Sequence, residues 1–204
     1  MALNGKALQS IMVGQLASKG IVGGKVSDLA GGLSEGLVDS FLAQNTVITS
    51  DVGLLPAGAP GVGVGKMIGL DPKAMAGMML PLVTSEGILG SKSKDLIDGI
   101  CEAVCTHFLA ANLVNTTHPT VVLGSGVGKV TALQASATSA MVSGKLASKG
   151  IVGSKMQNLA KGISEGFVNN ILATAVINVS IAGAPLVTPG GTVPSGGAGT
   201  GKVT

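Results

Sequence analysis

Apolar residues recur at helical spacing from the start of the chain. Ala7, Leu8, Ile11, Met12 and Leu16 mark one helix, and Val26, Leu29, Leu33, Leu37 and Phe41 mark a second. Gly20 and Gly23 stand between these runs and predict a helix stop followed by a turn. Beyond the second helix the pattern shortens to β-type runs: NTVIT at 45–49, PTVVL at 119–123 and AVINVSI at 175–181. Stretches rich in glycine and proline accompany these runs, and a glycine–lysine signature closes each block.

The octapeptide LASKGIVG occurs at 16–23 and again at 146–153. Aligning the chain with itself gives a third copy between them, so that the segments starting at Gly20, Gly87 and Gly150 correspond. Lys25, Lys92 and Lys155 then match, as do Glu35, Glu102 and Glu165. The copies end alike, in GVGVGK at 61–66, GSGVGK at 124–129 and GAGTGK at 197–202. Asp71 followed by Pro72 is an N-cap with proline at the first helical position. The predicted units are 1–70, 71–133 and 134–204, sharing one core. The expected fold is α+β and helix-dominated: three tandem repeats of two helices, a short strand or hairpin and a glycine-rich tail. A closed, pseudo-threefold ring is favoured over a linear stack, because the outer units resemble each other and neither carries a polar cap.

Composition narrows this picture. Of 204 residues 46% are apolar, yet Trp and Tyr are absent and only Phe41, Phe108 and Phe167 are aromatic, so aliphatics and methionine must build the core. Met75, Met78 and Met79 read as gap-filling core residues. All 13 basic residues are Lys, scattered rather than clustered, which argues against a nucleic-acid partner. The N-terminus carries no secretory signal pattern, and no stretch offers ~20 consecutive apolar residues, so no membrane partner is expected.

Three clusters invite a chemical reading. GSGVGKVT at 124–131 approaches a phosphate-binding loop, but position 123 is Leu and Lys129 is followed by Val130 where a hydroxyl is required. Cys101, Cys105 and His107 have ligand-like spacing. The sister copies have Ser34 and Ser164, Val38 and Val168 in place of the thiols, and His118 is the only other histidine, so free thiols are expected instead of a metal site. Glu35, Glu102 and Glu165 could meet Lys25, Lys92 and Lys155 across neighbouring units. No nucleophile–base pair stands out. No catalytic, cofactor-binding or metal-ligating residues are assigned, and no enzyme is expected.

The amphipathic start of each unit, SEGLVDSFLAQNTVI at 34–48 and glycine-rich endings such as GAGTGK resemble small bacteriophage virion structural proteins. That resemblance implies a non-enzymatic head-decoration, neck or tail component of a large symmetric assembly, located in the virion and assembled in the bacterial cytoplasm. Its partners would be other structural proteins of the assembly or copies of itself, with the glycine-rich tails laid on neighbours by strand addition. The alternative from hydropathy alone is a membrane-associating, glycine-rich hydrophobic protein.

Overall fold

A computed structural model describes residues 3–53, 61–118, 123–182 and 195–204. Along the chain run α1 (Gly5–Ser18), α2 (Val26–Gln44), β1 (Thr46–Gly53), β2 (Gly61–Ile68), α3 (Pro72–Ser85), α4 (Ser93–Ala111), β3 (Leu113–His118) and β4 (Leu123–Thr131). They are followed by α5 (Ala135–Ser148), α6 (Met156–Thr174), β5 (Ile177–Ala182) and β6 (Ser195–Val203).

Local chemistry sets the helix ends. The Asn4 side chain accepts from the N–H groups of Lys6 and Ala7 at 2.9 and 3.2 Å, and Asp71 does the same for Lys73 and Ala74. At the other end of α1, Gly20 adopts φ +72°, and Ile21 N–H returns to Leu16 C=O at 2.9 Å. This is a Schellman stop, and Ile151 repeats it onto Leu146. The repeated octapeptide therefore encodes a helix terminus.

The helices form a closed ring in which each packs on its two chain neighbours and α6 packs on α1. Some of these seams are tight. A Cβ added at Gly32 or Gly36 of α2 would lie 2.7 or 2.8 Å from the Cα atoms of Val83 or Met79 on α3. The three phenylalanines meet at the centre, fully buried, with ring centroids 5.0, 5.6 and 6.1 Å apart. Met75 and Met79 are buried as expected, whereas Met78 is partly exposed and its sulfur lies 3.6 Å from Ser40 Oγ.

The strands correct the expected fold class. Instead of separate repeat units that each end in a glycine-rich tail, the described strands join hairpin to hairpin into one closed antiparallel barrel, ordered β1 to β6, with β1 paired to β6. The supposed tails are β2, β4 and β6. An isolated hairpin is marginal in water, and its edges leave N–H and C=O groups unpaired; closure removes both problems. Closure also leaves no free edge among the described strands for strand addition to a neighbour. Of the β-type run expected at 119–123, residues 119–122 lie outside the described residues and Leu123 opens β4; the strand before it, β3, is Leu113–His118.

Strand alternation explains the glycine–lysine signature. Gly63, Gly126, Gly128 and Gly199 are buried inside the barrel, while Lys66, Lys129 and Lys202 are exposed outside it. The interior is narrow and already filled by side chains of β1, β3 and β5. A Cβ at Gly65 would sit 2.6 Å from Thr49 Cγ2, one at Gly128 2.7 Å from Thr116 Cγ2, and one at Gly201 2.9 Å from Val179 Cγ2. Glycine is the residue that fits against them.

Candidate functional site

The residues singled out for chemistry are drawn apart by the helix ring. Cys101 and Cys105 are buried free thiols on α4, and Cys105 Sγ lies 3.9 Å from Met75 Sδ of α3. Burial pushes the Cys105 thiol up to about 12 and raises that of Cys101 as well, so both stay neutral near pH 7. His107 turns toward α5, where its Nδ1 is 2.7 Å from Thr138 Oγ1, and burial lowers its pKa. His118 lies in β3. Among the described residues no three His, Cys, Asp or Glu side chains stand together in a way that could hold a metal ion.

Two of the three recurrent carboxylates, Glu102 and Glu165, find lysines other than those expected. Glu102 pairs with Lys149 at 2.8 Å and Lys145 at 3.1 Å, hydrogen bonds that lower its pKa. Glu165 pairs with Lys19 at 2.8 Å. Lys25 and Lys92 instead bind Asp28 and Asp95 one turn on, and they donate to the C=O groups of Glu86 and Lys149 at 3.4 and 3.0 Å. Those carbonyls end α3 and α5, where a cation complements the helix dipole. Lys155 Nζ stands beside Gly20 after α1, and Asn158 donates to Lys19 C=O at 2.8 Å.

The glycine–lysine segments are strands paired on both sides, so their backbone N–H groups belong to the barrel ladder and form no phosphate cradle.

What remains uncompensated is apolar surface. The α1–α2, α3–α4 and α5–α6 loops lie at the end of the ring away from the barrel, because α2, α4 and α6 each lead directly into a strand. Lys25, Lys92 and Asn158 donate from the starts of α2, α4 and α6 to carbonyls at the helix end before another of these loops, so the loops form a linked ring of their own. From it project Val22, Leu89 and Val152, which are 75, 77 and 75% exposed. A second apolar surface is a depression of about 360 Å³ on the barrel wall, lined by Ile48, Val64, Lys66, Ile68 and Leu113 among others. Sequence reading passed over the three tips because GIVG and GILG read as turns. The overlooked signal was an aliphatic residue kept at the same place in three turns that have no need of one.

Compared with models of known protein families, with characterised proteins and with solved structures, the chain matches none. Among the described residues no helix is long and apolar enough to cross a membrane.

Proposed function

We propose that this chain is a non-enzymatic structural subunit of a large assembly, and that the loop ring is the face by which it docks. The observation that carries this reading is the projection of Val22, Leu89 and Val152 from one end of the body. Isolated exposed aliphatics are commonplace, but three at corresponding turns, each held at its helix end by a lysine or asparagine side chain, present apolar tips of the kind that partners cover. The buried thiols and the dispersed carboxylates fit a body without a reaction centre. The resemblance of 34–48 and the glycine-rich endings to small bacteriophage virion proteins supplies the setting: a head-decoration, neck or tail position, filled during assembly in the bacterial cytoplasm.

The test is incorporation. The chain should be found in gradient-purified particles at fixed stoichiometry. Replacing Val22, Leu89 and Val152 with serine should leave the isolated fold intact and abolish incorporation. Absence from the particle, or unchanged incorporation of the triple variant, overturns the reading.

A further inference from the structure

The outer wall of the barrel differs around its circumference. Three lysines point outward from β2, β4 and β6, and each has a register partner on the preceding strand: Ile48 opposite Lys66, Asn115 opposite Lys129 and Asn178 opposite Lys202. At two of these hairpins the positions flanking the lysine are an Asn–Thr pair bonded to each other, and Val127 is the exposed aliphatic beside Lys129. Asn115 Nδ2 donates to Thr131 Oγ1 at 3.3 Å, and Asn178 Nδ2 donates to Thr204 Oγ1 at 3.1 Å. At the β1–β2 hairpin the same two positions are Ile48 and Ile68, 48 and 41% exposed. Val64 completes an apolar frame around the exposed Lys66. Lys66 has no carboxylate in ion-pair range among the described residues.

We infer that the β1–β2 wall is the seat of a different protein subunit, which lays an apolar segment over Ile48, Val64 and Ile68 and sets a carboxylate against Lys66. The sister hairpins fold with a hydrogen-bonded Asn–Thr pair at these places, whereas Ile48 and Ile68 leave apolar area in water. Covering that area adds burial that the Asn–Thr pairs do not offer. Lys66 fixes the chemistry of the cover, because a buried ammonium needs an opposite charge. A second copy joined through this wall about a twofold axis would bring Lys66 against its own counterpart, which like-charge repulsion disfavours. Both strands of the hairpin are already paired on both sides, so the contact is made by side chains and not by strand addition. This inference rests on the structural-subunit reading but uses a surface separate from the loop ring.

The experiment titrates short synthetic peptides of alternating valine and threonine, bearing one central glutamate, glutamine or lysine, into the isotope-labelled full chain. Amide shifts should be confined to the neighbourhood of Ile48, Val64, Lys66 and Ile68. The glutamate peptide should bind roughly tenfold tighter than the lysine peptide, and Lys66→Glu should reverse that order. The double variant I48N/I68T, which installs the pair already present at the other two hairpins, should fold and lose the binding. Shifts elsewhere, indifference to peptide charge, concentration-dependent dimerisation lost in I48N/I68T, or capture by anionic phosphatidylglycerol vesicles instead of the peptide would each overturn the inference. Normal particle incorporation of I48N/I68T, with the loop-ring variant excluded, would overturn it while leaving the structural-subunit reading standing.

Discussion

The side-chain oxygen of Asn45 accepts the backbone N–H of Val203 at 2.9 Å, joining the end of α2 to the last strand of the chain. The buried Asn45 also donates to Phe41 C=O at the helix terminus, so one amide both caps a helix and anchors the barrel. Asn112 repeats the device, accepting from Met67 N–H at 2.6 Å and donating to Met67 C=O at 3.1 Å. Removing Asn45 strands a buried donor, which costs about 1–3 kcal/mol. Asn45→Ala should lower the denaturant midpoint accordingly, and an unchanged midpoint would refute the clasp.

Glycine substitutions should divide by location. Gly65→Ala, Gly128→Ala and Gly201→Ala each push a methyl group into an occupied barrel interior, and overpacking of this kind costs about 1–3 kcal/mol. Gly14, Gly77 and Gly144 lie on helix surfaces where an added Cβ meets nothing within 4 Å. Alanine there should stabilise by about 0.5–1 kcal/mol through helix propensity. Thermal melts of the two sets should move in opposite directions; the same direction for both would contradict the inward placement of the barrel glycines.

The helices were legible in the sequence and the barrel was not. Leu8, Met12 and Leu16 carry the period of a helix face in their own side chains, and Gly20 announces the stop. A barrel strand normally shows itself by alternating apolar and polar residues, but in β2, β4 and β6 the inward positions are mostly glycine. Apolar periodicity is therefore missing where burial is greatest, and GVGVGK reads as a loose ending. The volume that would have revealed these strands belongs to Thr49, Thr116 and Val179 on their neighbours. The candidate surface was hidden for a related reason: nothing in Val22 or Ile48 tells an outward aliphatic from an inward one until the turn and the register are known.

Cys101 and Cys105 should resist modification in the folded state. Their raised pKa values and burial keep the reactive thiolate scarce. Alkylation at pH 8 should be slow in buffer and rapid for both in denaturant. Fast labelling of either thiol under native conditions would contradict its burial on α4.

Two separate pH windows follow from the titrating groups. His107 has a folded pKa below its ordinary value of about 6.5, so its contribution is complete above that pH. It is lost as pH falls toward the lowered folded value, because the unfolded chain takes up the proton first. Glu102, held down by Lys149 and Lys145, contributes above about pH 4.3 and loses that contribution as pH falls through its lower folded value. Denaturation midpoints of His107→Gln should flatten in the upper window, and those of Glu102→Gln should flatten, by less, in the lower one. Identical pH profiles for wild type and both variants would contradict these assignments.

The packing of α6 on α1 and the ladder between β1 and β6 have a consequence for how the chain is put together. The circle of helices can shut once α6 has emerged from the ribosome, but the cylinder above it cannot shut before β6. A nascent chain stopped just before β6 would then carry one open barrel seam, with β1 and β5 as bare strand edges. Premature termination should yield aggregates in place of a smaller folded body.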